Sequence, residues 1–331
     1  MKVIFALLTA VLVILTSMVG WLYFSQWDAG KSVSKQEQPL RHIQLVTQNS
    51  NEHFWSMFKD GALEAGEELN LYVEFVDVPT KNPDTIAETA EQAIYASVDG
   101  LALQAADTER TALVLEEASK AGIPVITYEN DIFPISDVPT VGSNGYDAGY
   151  SLGQMAAEAC QGKATVVVLL ESTAAGAKTT YKNLKLQGIM DALSGYQNIS
   201  VEETYSISAD SFEVEKLSNS ILTERPAIDL ILCAGETSTP GVAQVLVDAN
   251  RVGEIRVVGY GAMPQTLDYI ERGVIYGTVC PDAFEIGSST VRQLNNLLEG
   301  EQISNSLNTG MYTVTAENLE EFREKTTRQL S

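Results

Sequence analysis

Residues 43–61 read IQLVTQNSNEHFWSMFKDG, an apolar run, a polar loop and then an amphipathic helix entered through two adjacent aromatics. Ile43, Leu45 and Val46 read as a short buried strand, residues 48–53 as its exit loop, and a helix follows from Phe54. In that helix Trp55, Phe58, Ala62, Ala65 and Leu69 recur at spacings of three and four, a stripe that must face a sheet. Open parallel sheets bind ligands beyond the carboxyl ends of their strands, where this loop lies. One corner therefore offers both core and candidate site.

The same unit repeats along the chain. Strand-like runs at 71–78, 100–104 and 124–128 alternate with helical patterns at 84–96 and 108–120, and Gly122-Ile-Pro124 stops one helix and starts the next strand. After 140–142 the pattern restarts. Helices are expected at 147–160, 180–193, 211–223, 239–250, 264–271 and, as the last long one, 286–298, with strands at 165–170, 199–203, 230–234, 255–260 and 274–279. Such alternation predicts α/β architecture with parallel sheets covered by helices on both faces. The strands are too many for one comfortable sheet, so two similar lobes are expected.

Upstream, residues 3–24 carry no charge and follow Lys2. At about 1.5 Å per residue a helix of that length crosses a bilayer core of roughly 30 Å. The segment lacks a convincing small-residue cleavage pattern, and Trp21, Tyr23 and Trp27 stand where an interfacial aromatic belt would. Residues 1–27 are accordingly read as an uncleaved signal anchor that places the rest outside the cytoplasmic membrane. Residues 28–40 lack a run of large apolar side chains and read as a flexible linker.

The 331-residue chain carries 44 acidic against 21 basic residues, a formal charge of -23 that disfavours nucleic acid as a partner. Cys160, Cys233 and Cys280 show no CxxC spacing and are expected as small buried hydrophobes, the alternative being a bridge between Cys233 and Cys280. His42 and His53 stand eleven apart without cysteines or paired acids beside them, so neither a metal site nor a His-based triad is expected. The segment ESTAAGAKT at 171–179 fails as a phosphate loop, because its first glycine is Glu171 and an extra residue separates Gly176 from Lys178. No cofactor is implied.

What remains is a set of polar and aromatic residues just after strands, where a cleft between two lobes would be lined: 48–55, Gln104 and Asp107, 128–131, 143–146, 171–173, 235–238, Tyr260, and 281–284, which includes Asp282. Aromatic faces beside planar polar groups suit a small polyhydroxylated ligand, whose apolar face stacks and whose hydroxyls need paired donors and acceptors. Of Phe54 and Trp55, one can pack inward while the other faces the cleft.

At these residues the chain resembles the periplasmic sugar-binding proteins of the ribose-binding type, the substrate-recognition components of ABC importers. The resemblance runs from about residue 43 to 322 and rests on NEHFWSMFKDGALEAGEEL, SVDGLALQAAD, AGIPVITYEND, VGSNGYDAGYSLG, IRVVGYGAMPQTLDYIERG and TGMYTVTAENLEEF taken together. It implies a periplasmic-binding-protein-like fold of type I, two Rossmann-like lobes joined by a three-crossover hinge near Gly142, Pro281 and residues 308–310. The lobes would comprise 41–142 with 281–308, and 143–280 with 309–331. Carried over by residue, Phe54 and Trp55 match the family's aromatic pair, and Glu129 matches an acidic residue accepting from sugar hydroxyls. Asn130 stands where arginine or serine is frequent, Lys185 where a ligand-binding arginine is usual, and Glu236 where an aspartate often sits. Gly145, Gly235, Gly261 and Pro281 depart from the family's asparagine, asparagine or serine, aspartate and glutamine. Each buried hydroxyl left unpaired would cost roughly 1–3 kcal/mol, which predicts a different or larger ligand, with water filling the space the glycines create.

The implied function is capture of a small sugar-like ligand for an ABC permease or for a membrane sensor histidine kinase, the uncleaved anchor favouring the sensor. A lactose-repressor-like regulator carries the same two-lobed module but begins with a basic helix-turn-helix, which this chain lacks. An enzyme would need an acid-base pair in the cleft, for which Glu129 and Glu236 are the nominees.

Overall fold

The expected alternation of strand and helix is realised as two six-stranded sheets in the computed structural model, which describes residues 16–18, 40–48, 53–78, 83–104, 109–129, 137–172, 184–225 and 227–329. The chain divides into two units, Met1–Leu40 and Arg41–Ser331. Of the first, the helical residues 16–18 are described, so the expected anchor and linker fall almost wholly outside the described residues. Among the described residues no helix is long and apolar enough to cross a membrane.

In the second unit β1 (Arg41–Gln48), β2 (Leu71–Val78), β3 (Gly100–Leu103), β4 (Val125–Tyr128) and β5 (Thr140–Gly142) build the first sheet with β11 (Ser306–Asn308), in the order β11-β5-β4-β3-β1-β2. The second sheet repeats the plan with β6 (Lys163–Ser172), β7 (Asn198–Ser208), β8 (Leu230–Cys233), β9 (Arg256–Tyr260), β10 (Gly277–Pro281) and β12 (Met311–Thr315), in the order β12-β10-β9-β8-β6-β7. Strands β3, β4 and β8 are buried at every position, which is why they read as continuous apolar runs. Each sheet starts from one strand, adds the next on one side and the remainder on the other. The reversal makes a crevice at the carboxyl ends of the strands. Corresponding aspartates set the opposite ends: the Asp99 carboxylate accepts from the His42 N–H at 2.6 Å and the Asp229 carboxylate from the Thr165 N–H at 2.7 Å.

The helices follow the apolar stripes. They are α1 (His53–Glu68), α2 (Pro83–Tyr95), α3 (Glu109–Ala121), α4 (Gly145–Ala159), α5 (Leu184–Ser194), α6 (Ser211–Glu224), α7 (Ser238–Asp248), α8 (Pro264–Glu271), α9 (Ala283–Leu298) and α10 (Leu319–Gln329). Helix α1 buries Trp55, Phe58, Ala62 and Ala65 as the stripe requires, in one cluster with Ile43, Leu45 and Tyr128. Its partner is α9, and both helices use glycine to let backbones meet. A Cβ added at Gly61 would lie 2.9 Å from the Phe284 carbonyl carbon, and one at Gly287 2.8 Å from that of Phe58. The second lobe repeats this with α4 and α5, where a Cβ at Gly149 would lie 2.7 Å from the Lys185 carbonyl carbon and one at Gly188 2.6 Å from the Tyr150 nitrogen.

The chain passes between the sheets three times: after β5 into α4, from β10 into α9, and between β11 and β12. Two of these passages touch, since the Thr309 N–H donates to the Gly142 carbonyl at 3.0 Å. The last passage adds one antiparallel strand to the otherwise parallel second sheet. Strand β12 pairs antiparallel with β10, Met311 opposite Pro281, because β11 runs towards the cleft with its parallel neighbours and the chain continues through two residues into the second sheet, where it runs away from the cleft.

Three expectations needed adjustment. The tail after α9 holds β11, β12 and α10, which short strands and a strongly polar helix conceal from periodicity. Strand β7 runs on to Ser208 rather than ending at 203, since Tyr205 packs at the core edge and Ile207 within it. Strand β10 begins at Gly277, while Ile275 enters the core from the preceding turn. All three cysteines are free and buried, so no bridge joins Cys233 to Cys280. Burial raises both of those thiols far above the ordinary range, leaving them inert packing groups.

Candidate functional site

The carboxyl ends of both sheets face one cleft of about 510 Å³. From the first lobe it is lined by His53, Phe54, Trp55 and Met57 of α1, Gln104 just after β3 and Glu129 just after β4. The second lobe contributes Glu171 from the end of β6, Lys185 from the first turn of α5, Gly235 and Glu236 after β8, and Tyr260 at the end of β9. Pro281 and Asp282, at the passage from β10 into α9, close the floor. The cleft thus brings together Phe54, Trp55, Gln104, Glu129, Lys185, Glu236, Tyr260 and Asp282. Asn130 lies outside the described residues.

The aromatic pair divides its work. Trp55 is only 5 % exposed and packs edge-on against Phe54, Phe58 and Tyr128, with ring centroids 4.8, 5.4 and 6.2 Å away. It is mainly core and shows the cleft one edge. Phe54 is the more open ring, resting on Met57, Ala283 and Phe284. Behind them Tyr128 stacks on Phe58 at 4.8 Å and donates to the Val46 carbonyl at 2.7 Å. Complete burial pushes the Tyr128 phenol well up, so it stays a neutral donor. Burial likewise lowers the His53 pKa below its usual value, which keeps that imidazole neutral at pH 7.

Glu129 takes the left-handed backbone, with φ at 55°, and its N–H donates to the Val141 carbonyl at 3.0 Å. This uncommon conformation turns the chain sharply at the strand end and leaves the carboxylate beside Gly142, where a Cβ would lie 3.8 Å from its Oε2.

In the second lobe the Lys185 Nζ sits 3.6 Å from the centroid of the Tyr260 ring and donates to the Ala234 carbonyl at 3.2 Å. The Glu171 Oε1 accepts from the Ser238 N–H at 2.5 Å and so caps α7, whose own N-cap residue Thr237 makes no side-chain bond. The Thr239 hydroxyl ties the loops together, donating to the Gly235 carbonyl at 2.8 Å and accepting from the Tyr260 N–H at 2.9 Å.

These contacts correct the expectation that the glycines leave space for water. A side chain at Gly235 would overlap the Glu171 carboxylate, and a Cβ at Gly261 would lie 2.6 Å from the Glu236 Cγ. Gly261 also has φ at 88°, a conformation other residues resist. The room left by the absent side chains is filled by neighbouring glutamates. A second correction concerns residues 143–146, which do not line the cleft. Asn144 instead caps α4, its Oδ1 accepting from the Tyr146 N–H at 2.9 Å, while the Tyr146 hydroxyl donates to Asp191 at 3.0 Å on the surface.

Asp282 is 8 % exposed and heavily engaged. It caps α9 by accepting from the Glu285 N–H at 3.1 Å, accepts from the Tyr312 hydroxyl, and lies 3.8 Å from the Lys325 ammonium. Burial and this bond raise the Tyr312 phenol, which remains a donor. Tyr312, Phe322 and Thr326 extend the lining, and sequence reasoning missed them because they belong to β12 and α10. The segment TGMYTVTAENLEEF carried the available signal.

No group of three or more His, Cys, Asp or Glu side chains among the described residues is placed to hold a metal ion. The periplasmic binding protein domain model matches residues 43–302, most of the chain. The chain belongs to the periplasmic binding protein domain family. Membership makes it a binding protein, not an enzyme. Among relatives of this family, the D-allose-binding periplasmic protein of Escherichia coli strain K12 is 21% identical over 82% of this chain and 88% of that protein. The D-ribose/D-allose-binding protein of Pseudomonas aeruginosa is 24% identical, over 78% and 82% respectively. GanP, a glucose-galactose binding protein from Geobacillus stearothermophilus, superposes with a TM-score of 0.76 at 25% identity, covering 85% of this chain and 99% of that one. The fold is therefore periplasmic-binding-protein-like type I.

Proposed function

We propose that this protein captures a sugar or sugar-like molecule outside the cytoplasmic membrane and delivers it to an ABC importer. The observation that carries the reading is the cleft at the carboxyl ends of both sheets, where stacking surfaces and planar polar groups from the two lobes face one another. The relatives named for D-allose and D-ribose support the ligand class. In this reading the lobes are 41–142 with 281–308 and 143–280 with 309–331, and they close about the three passages. Phe54 and Tyr260 offer rings to the ligand, Gln104, Glu129, Lys185 and Glu236 bond its hydroxyls, Trp55 supports Phe54, and Asp282 fixes the floor. Asn130 belongs to the same set by sequence position.

The test is thermal unfolding of the full-length chain against pentoses, hexoses, polyols and inositols. A ligand at about a hundred times its dissociation constant adds about 2.7 kcal/mol, a clear rise in midpoint. One compound class is expected to give that rise and to be recovered chemically unchanged. A flat response across the whole panel would overturn the reading.

The uncharged span at 3–24, with no convincing cleavage pattern, favours a second reading in which the tethered protein reports ligand occupancy to a sensor histidine kinase. Extraction of the native protein is then expected to require detergent. Release by a salt wash would remove the tether and this reading with it.

A further inference from the structure

One carboxyl group holds both lobes where β10 passes into α9. The Asp282 Oδ1 accepts from the Glu285 N–H at 3.1 Å, in the first turn of α9. Its Oδ2 accepts from the Tyr312 hydroxyl of β12 and lies 3.8 Å from the Lys325 ammonium of α10. Lys325 also donates to the Tyr312 hydroxyl and stands 4.4 Å from the centroid of that ring. On the first lobe α9 is pinned to α1 by the close approach of Gly61 and Phe284. On the second, β12 pairs with β10, and Arg323 fastens α10 to α8 through Glu271 at 3.0 Å and Asp268 at 3.4 Å. Each oxygen of Asp282 therefore answers to a different lobe.

Packing leaves room for the angle between the lobes to change. Helix α10 stands across a hollow of about 470 Å³ from α1 and α9, lined by Glu64, Phe284, Glu321, Glu324, Lys325 and Gln329. A helix with space on that side can swing, whereas a hydrogen bond weakens steeply once its distance and angle leave a narrow range. A bond across a passage about which two lobes turn therefore favours the one angle that satisfies it. Here that angle is the one at which residues of both lobes line a common cleft.

We infer that Tyr312 and Lys325 are positioning residues, which act through Asp282 to hold the two lobes at their binding angle. This rests on reading the lobes as bodies that close on a sugar-like molecule, and it names what sets their resting angle. Asp282 and Tyr312 also line the cleft, so a molecule bound there meets the same group that joins the lobes. Loosening the tie lowers affinity in proportion to the fraction of chains that leave the binding angle.

Pulsed electron spin resonance on the full-length, ligand-free chain tests it, with spin labels at Tyr95→Cys of the first lobe and Phe212→Cys of the second. Both native side chains are well exposed, and the three native cysteines are buried. One dominant distance between the labels is expected. Tyr312→Phe removes the hydroxyl and keeps the ring that packs on Phe322. It should broaden the distribution and cut the dominant population about two- to tenfold relative to the others, the worth of one hydrogen bond. Lys325→Met, at a half-exposed side chain outside the cleft, is expected to broaden it less, and decides the matter alone should Tyr312→Phe fail to fold. Arg323→Gln loosens α10 from α8 without touching Asp282 and is expected to leave the distribution near the parent's. An unchanged distribution in Tyr312→Phe, or in Lys325→Met where that variant decides, would overturn the inference. So would equal broadening by Arg323→Gln, since the effect would then come from the seating of α10. No ligand enters the measurement, so the sugar-binding reading stands or falls separately.

Discussion

Replacing Trp55 by alanine is expected to cost about 3–5 kcal/mol of stability, the usual loss when a large buried aromatic is truncated. The residue stands at the third position of α1, at the mouth of the cleft, yet 95 % of its surface is covered and three rings lean on it. Its removal opens a cavity beside Phe54, Phe58 and Tyr128, and Tyr128, fixed in β4 and bonded to the Val46 carbonyl of β1, cannot collapse into the gap. A loss of this size is comparable with the whole stability of a marginal domain. Urea midpoints of the variant and of Trp55→Phe decide the matter, with the phenylalanine variant expected to recover a large part of the loss. A deficit under about 1 kcal/mol in the alanine variant would mean that the ring is a cleft residue and not a core residue.

Gly287→Ala is expected to destabilise the protein by about 1–3 kcal/mol, although alanine is the better helix former by about 1 kcal/mol. The added methyl would meet the Phe58 carbonyl and, at 3.1 Å, the Ala62 nitrogen. Both are backbone atoms, so no side chain can rotate away. Helices α1 and α9 must separate, and both begin at the cleft, where Phe54 and Asp282 stand at their first turns. Ligand affinity should therefore fall with stability. Gly195→Ala is the control, because its Cβ would meet only the Ala192 carbonyl oxygen at 3.8 Å. Equal melting temperatures for the two variants would show that α1 and α9 do not depend on this close approach.

The repeating strand and helix pattern was legible because the buried strands are mainly apolar and the helices before the tail carry an apolar stripe, properties fixed by local sequence. The antiparallel β12 was not, since its direction follows from the chain running straight out of one sheet into the other, which no local pattern records. At the site, residues placed by the strand-end rule were recoverable: Gln104, Glu129 and Tyr260 all follow parallel strands into the cleft. Residues whose role depends on a distant partner were opaque. Glu171 was placed at the cleft by its position after a strand, but its bond to Ser238, 67 positions away, has no local signature. The same holds for Asp282, whose engagement with Tyr312 and Lys325 is written nowhere near it in sequence. Phe54 and Trp55 could be recognised as a pair, but only packing shows which of them the core takes.

The Glu171 carboxylate occupying the room beside Gly235 also constrains how this binding site can evolve. Restoring an asparagine at Gly235 alone drives its side chain into the carboxylate, and shortening Glu171 alone strips the Ser238 N–H of its acceptor at the start of α7. Either first step is disfavoured, and only the paired exchange reaches a side-chain set like that of the family's usual sites. Positions 171 and 235 therefore act as a coupled pair, and reshaping this wall of the cleft calls for exchanging both together.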